Sequence, residues 1–282
     1  MKKFLLLLLS FSLLIRCSSN NSSEDSEQTN VVNTTSTSDN TNQDYPNFID
    51  SMKMRIFAKE GVSVEFLNNV GKTYEAMFGE GPNVDENMRS IYLKATEDNY
   101  VYQRLGIDGS EESSNFEPGD PPAPYNDNVT DFIWEMAQGG PDQIGEVIEH
   151  LLHTITNVIL YLSFPEEWDY NNPSSLLSLA MQESIDKEIY DISSYDELLD
   201  NDPEIYKKIL TQEYAYWLVL AEWNYYITAG KKEDGLSGNG EFTLGTPEEI
   251  SEQLHLGHEL YQNFVAKVLI EPDKETIISL FP

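Results

Sequence analysis

Apolar residues along this chain recur at two spacings, and the spacing changes partway along it. Met52-Lys-Met-Arg-Ile-Phe-Ala58 alternates apolar and polar positions, which predicts a strand. Ser63 to Phe78 carries Val64, Leu67, Val70, Tyr74, Met77 and Phe78 near helical spacing, with Ser63 as N-cap, and Gly79-Glu-Gly-Pro82 ends it. Ser90 to Ala95 alternates again through Ile91, Leu93 and Ala95, which predicts a second strand. Gly106 to Asn128 is rich in Gly, Pro, Ser and acid and is expected to be a long loop, with Asp131 to Ala137 a short element after it. Beyond that the period is helical: Pro141 to Leu162, Pro173 to Glu188, and Asp202 to about Thr228. Lys231 to Gly245 is a polar, Gly-rich loop. Thr246-Pro-Glu-Glu249 then spells a capping box with Pro at the first helical position, opening a last helix to about Ile270. The expected class is α+β, predominantly helical, with a small N-terminal sheet and a helical C-terminal half.

The helix from Pro141 contains Gly145-Glu-Val-Ile-Glu149-His150-Leu-Leu-His153-Thr-Ile-Thr156. At roughly 100° per residue, with Glu149 at zero, His153 falls near ~40°, Glu146 near ~60° and His150 near ~100°. Ile144, Val147, Ile148, Leu151, Leu152, Ile155, Val158 and Ile159 fill the opposite arc. Two carboxylates and two imidazoles therefore share one stripe in front of a broad apolar face. A solvated polar face would look the same in projection. A metal site draws on a scarcer resource: the chain has four His, and all fall in H-x-x-H pairs, His150/His153 and His255/His258. Neutral imidazole is the commonest protein metal ligand. His258 falls at the margin of an apolar face and His255 on the surface, so the second pair is expected to be structural.

Thr211 to Ile227 is apolar nearly all round and reads as a buried helix whose charges are Glu213 and Glu222. A buried carboxylate must be protonated, paired or bound to metal. Glu213 is therefore the candidate third ligand beside the His pair.

The N-terminus changes the cellular setting. Met1-Lys-Lys is followed by a short apolar run ending at Arg16-Cys17. This reads as a signal peptide over 1–17, too short and wrongly flanked to span a membrane stably. Cys17 resembles the lipid-modified cysteine of a bacterial lipoprotein, with Arg16 in place of the usual small residue; an uncleaved N-terminal anchor is the alternative. Residues 18–45 are mostly Ser, Thr, Asn and acid and are expected to form a disordered tether, leaving 46–282 as one globular domain. Cys17 is the sole cysteine, so no disulfide forms within the chain. A net charge of -32 argues against nucleic acid as partner.

The H-x-x-H helix differs from the zinc helix H-E-x-x-H by exchange of its first two letters, and the element order resembles the zincin fold. The chain looks most like secreted gluzincins of the anthrax lethal factor type, in which the downstream zinc-ligand Glu opens an aromatic run; Gln212-Glu213-Tyr214-Ala215-Tyr216-Trp217 is similar. The resemblance implies a zinc or other divalent-metal cofactor and a peptide or protein substrate. It places His153 at the second ligand position, Glu213 at the third, Glu149 at the first, and His150 where the catalytic Glu stands. One arrangement takes Glu149, His153 and Glu213 as ligands with His150 as base. The other takes His150, His153 and Glu213, with Glu146 or Glu149 as base. The functional expectation is an exported, lipid-anchored metalloprotein, a metal-dependent peptidase or hydrolase if active. The alternatives are a cell-surface binding protein on a degenerate zincin scaffold and a carboxylate-rich metal-storage or sensing protein.

Overall fold

A computed structural model describes residues 45–109, 121–125, 128–231 and 240–282. The signal peptide, Cys17, nearly all of the tether and parts of the two long loops lie outside the described residues.

The fold opens on a hairpin, β1 (Asn47–Ser51) and β2 (Met54–Ala58). Their register pairs Ser51 with Met54, so Met52 and Lys53 form a two-residue turn, both at positive φ, 44° and 69°. Such turns match the right-handed twist of the strands. The strand predicted from Met52 therefore begins two residues later, and its partner β1 had no sequence signal.

Two helices follow, α1 (Val64–Ala76) and α2 (Glu86–Asp98), and they return the chain to β3 (Tyr102–Ile107), parallel to β2. Ser63 caps α1 as expected, accepting from Phe66 N–H at 3.0 Å. The second predicted strand, Ser90–Ala95, is instead part of α2. Asp85 caps that helix, accepting from the N–H groups of Asn87 and Met88. Its buried positions are Arg89, Tyr92 and Thr96, one helical stripe, while Ile91 of the apparent alternation is exposed. β3 lies mostly in a stretch for which no element is predicted and runs two residues, Gly106 and Ile107, into the expected long loop. It is buried on both faces, so it carries no alternation to read.

β4 (Phe132–Glu135) completes a four-stranded sheet of order β1-β2-β3-β4, parallel to β3 at one edge. Met54, Ile56, Ala58, Leu105 and Ile133 turn one face of the sheet into the main core. Phe57, Tyr102 and Phe132 turn the other into a smaller aromatic cluster with Tyr45 and Val129.

The helical half begins with α3 (Pro141–Thr154), which continues through a π-helical stretch, Ile155–Leu160. A short α4 (Pro165–Trp168), α5 (Leu176–Asp186), α6 (Asp196–Asn201) and the long α7 (Pro203–Glu222) follow. The capping box at Thr246 is present with both its hydrogen bonds and starts α8 (Pro247–Gln253). The predicted last helix is interrupted: α9 (His255–Leu260) runs into a second π-helical turn, Tyr261–Val265. Beyond it, α10 (Lys274–Leu280) brings the C-terminus back to the sheet side, where Phe281 accepts from Gly140 N–H at 2.8 Å and Leu280 from Asn69 Nδ2 at 2.7 Å. The class is α+β with a small sheet, as expected. α3 packs on both β4 and α7, and this three-way junction sets the position of the site.

Candidate metal centre

Helix α3 is started by Pro141 at its first position behind Gly140 at φ 82°, with Asp142 in the first turn. Ile144, Val147, Ile148, Leu151 and Leu152 bury completely beneath it, as the helical projection requires. The polar stripe on its other side is covered by β4 on one flank and α7 on the other.

On the β4 flank, Gln143 and Glu146 act as substitutes for a further strand. Glu146 Oε1 accepts from Trp134 N–H at 2.9 Å, Gln143 Oε1 accepts from Met136 N–H at 2.7 Å, and Gln143 Nε2 donates to Trp134 O at 2.9 Å. The open edge of β4 is thereby satisfied by side chains over Trp134–Met136. Glu146 Oε1 also lies 3.3 Å from His150 Nε2, and His150 Nδ1 lies 2.9 Å from Asp131 Oδ2. Both nitrogens of His150 thus face carboxylates. Its Nδ1 contact with Asp131 is an ion pair out of line for a hydrogen bond.

His153 is the centre of the arrangement. Its side chain is 2% exposed. Nδ1–H donates to Asp131 Oδ2 at 3.2 Å. Nε2 lies 3.4 Å from Glu213 Oε1, is buried, and has no hydrogen-bond partner. Glu149, His153 and Glu213 bring one ligand atom each within 4.8 Å of one another. Asp131, His150 and His153 form a second such group, sharing His153. The side chains of Glu149 and Glu213 are partly exposed, at 26% and 17%. Tyr216, one helical turn after Glu213, sets its ring edge-on to His153 with centroids 5.6 Å apart. Its hydroxyl is buried without a hydrogen-bond partner.

Charge dominates this pocket. Against the carboxylates of Asp131, Glu146, Glu149 and Glu213 stands Lys231, its Nζ 3.3 Å from Glu149 Oε2 and 5.5 Å over the Trp217 ring. Neutral imidazoles would leave a large negative excess. Burial alone would depress both imidazoles, but the neighbouring carboxylates outweigh it. Asp131 and Glu146 hold His150 well above its ordinary range, and Glu213 with Asp131 holds His153 up at about 10. Reciprocally, burial would raise the carboxyls, yet the imidazoles keep Asp131 well below its usual range, and Lys231 and the imidazoles lower Glu149. Lys208 on α7 is lowered by burial, with the Asp131 charge opposing. Positive charge is required here, either as protons on both imidazoles or as a cation.

These residues fit a divalent cation. The buried Nε2 of His153 is unpartnered and faces two carboxylates, while a third carboxylate fixes the ring from Nδ1. Metal-bound His commonly takes such a carboxylate on its other nitrogen. Buried His, Asp and Glu groups can therefore hold a metal ion at this junction. Of the sequence candidates, Glu149, His153 and Glu213 come together, whereas His150 and Glu146 turn toward Asp131 and β4. Sequence reasoning missed Asp131 and Lys231. Asp131 is a lone acid before a strand and Lys231 opens a charged loop run, Lys231-Lys-Glu-Asp234, and neither has a partner at helical spacing to mark it.

Among the described residues, the second His pair joins no such group. His258 Nδ1 lies 2.8 Å from Glu222 Oε1, and burial raises the Glu222 carboxyl to about 7 despite that contact. His255 Nδ1 faces Ser251 O at 3.2 Å, on the surface as expected.

No protein-family model matches the chain, and comparisons with curated proteins and with solved structures give no match.

Proposed function

We propose that this chain is a divalent-metal protein of zincin-like build, exported and held at a membrane through a lipid on Cys17. The observation that carries the metal assignment is the buried, unpartnered Nε2 of His153 facing Glu149 and Glu213, with Nδ1 committed to Asp131. Glu149, His153 and Glu213 would hold the ion. Two carboxylates and one imidazole make a hard ligand set, suited to zinc and tolerant of manganese or iron. Asp131 orients His153 and sets which nitrogen is free. Lys231 offsets part of the surplus charge on Glu149. His150, held between Asp131 and Glu146, would keep a proton, and with it a positive charge, at the edge of the centre.

A bound divalent ion supplies a Lewis acid that polarises a carbonyl and acidifies water, the chemistry of a metal-dependent peptidase or amidohydrolase. A second reading, a binding protein without that reaction, draws support from β4. Its edge over Trp134–Met136 is closed by Gln143 and Glu146, so an extended peptide cannot add there as a further strand.

Metal analysis of the purified full chain tests the assignment. Wild type should carry one equivalent of divalent metal after dialysis, and His153→Ala should carry none. A wild type without stoichiometric metal, after reconstitution with zinc, manganese or iron, refutes it. Hydrolysis of a peptide library by wild type but not by Glu213→Ala favours the enzyme over the binder.

A further inference from the structure

Two polar side chains sit in the apolar layer between β3 and α3, where each must be bonded to be tolerated. Gln103 and Thr154 are both 0% exposed. Gln103 Nε2 donates to Asp131 O at 2.8 Å, which turns its Oε1 toward Thr154; the Thr154 hydroxyl donates to that oxygen at 2.6 Å. Thr154 Oγ1 is 2.8 Å from Thr130 Oγ1, and Thr130 Oγ1 is 2.9 Å from Asp131 Oδ1.

A proton inventory gives this chain its direction. Three oxygen–oxygen contacts share two hydroxyl protons, because neither the amide oxygen nor the ionised carboxylate supplies one. The Thr154 proton is committed to Gln103. The single Thr130 proton chooses between Thr154 and Asp131 Oδ1, and an ionised carboxylate is the stronger acceptor. Asp131 is therefore held at two points, its backbone oxygen by Gln103 and its Oδ1 by Thr130. Its Oδ2 is left for the imidazoles.

We propose that Gln103, Thr154 and Thr130 are positioning residues of the metal centre: Thr154 fixes the Gln103 amide, which holds the Asp131 backbone oxygen, and Thr130 holds Oδ1, so that Asp131 keeps His153 Nδ1–H and leaves Nε2 aimed at Glu149 and Glu213. This rests on the metal reading above. It extends that centre by three residues, none of which is charged or touches the ion. Thr154 also follows His153 directly on α3, so one helix turn carries both the ligand and the end of the chain that orients it.

The test is zinc titration of the full chain against a chromophoric chelator, with the ring N–H protons of metal-free protein followed by NMR. Thr154→Val and Gln103→Met should weaken zinc binding by up to about 10-fold, the lower end of the cost of losing a group bonded directly to a ligand, which here is Asp131. The protected His153 Nδ1–H resonance of wild type should broaden or vanish in both. Thr154→Ser keeps the hydroxyl and loses only a methyl, so it should retain most of the affinity and the resonance. Loss of packing alone would instead hurt Ser as much as Val. The inference is overturned if wild type binds zinc while Thr154→Val and Gln103→Met bind it equally well with the resonance intact. A wild type that takes up no zinc overturns the metal reading itself and this inference with it; the two failures are told apart by the wild-type titration.

Discussion

At His153, a single ring divides two sets of carboxylates: Asp131 on Nδ1, Glu149 and Glu213 around Nε2. The same nitrogen that would take a metal holds a proton in its absence, with the imidazole held up at about 10. The signs of the two linkages are opposite. A His raised in the fold stabilises the metal-free protein fully below its unfolded value near ~6.5, and that contribution fades as pH climbs toward about 10. Metal binding needs the neutral ring, so its affinity rises over that span, up to about tenfold per pH unit for each proton displaced. The difference in melting temperature between zinc-loaded and chelated protein should therefore widen from pH 6.5 to 9. A constant or narrowing gap in calorimetry would exclude His153 as the ligand. The stripe carrying this residue was legible because helical periodicity fixes which side chains share a face. Asp131 was not, because a lone Asp before a strand looks like any turn residue until β4 is docked on α3.

Among the elements, legibility followed whether burial was one-sided. α1, α3 and α7 show one apolar face or none exposed. The sequence pattern locates α1 and α3 within a few residues and the start of α7, but α7 ends at Glu222 where the apolar run suggested about Thr228. α2 misled because an exposed Ile91 stood in register with Leu93 and Ala95, while its true buried stripe includes the polar Arg89 and Thr96. Close packing of elements also yields tests. Gly145 on α3 faces the backbone after α7, where an added Cβ would stand 2.5 Å from Ala229 O. Gly145→Ala should cost about 1–3 kcal/mol in denaturant unfolding and shift Lys231, two residues beyond Ala229, off Glu149. A neutral result would show that this seam gives way. Between α7 and α9, Glu222 is buried beside His258 with its carboxyl raised to about 7. A raised acid makes the fold less stable as pH rises from about 4.5 to about 7, because the folded chain keeps a proton that the unfolded chain releases. Glu222→Gln should therefore gain on the order of 1–3 kcal/mol over wild type at pH 8 and little at pH 5. Equal effects at both values would remove desolvation as the cause.

For the whole molecule, a net charge of -32 means that any cation screens self-repulsion. Salt and divalent ions should both raise the melting temperature, so a metal effect alone says little. The specific part is what His153→Ala loses. At free zinc about 100 times its dissociation constant, wild type should gain about 2.7 kcal/mol beyond the effect of matched ionic strength, and the variant nothing. The α+β class was readable from composition and period; the sheet order was not, since β1 and β3 carry little pattern of their own.

The stitching of β4 to α3 bears on the order in which the protein assembles. Those bonds join residues only 7, 9 and 12 apart in sequence, and Asp131 reaches His153 over 22. One short stretch of chain can thus bring Asp131, Glu149 and His153 together before Glu213 arrives. The α3–α7 seam, by contrast, closes a loop of 55 residues at the Asn157–Gln212 bond, a slower step by loop-closure entropy alone. A nascent chain would first form a half-site with loose grip on an ion. On the metal reading the grip would become firm only when α7 docks, so tight loading would report that the long-range half of the fold is complete.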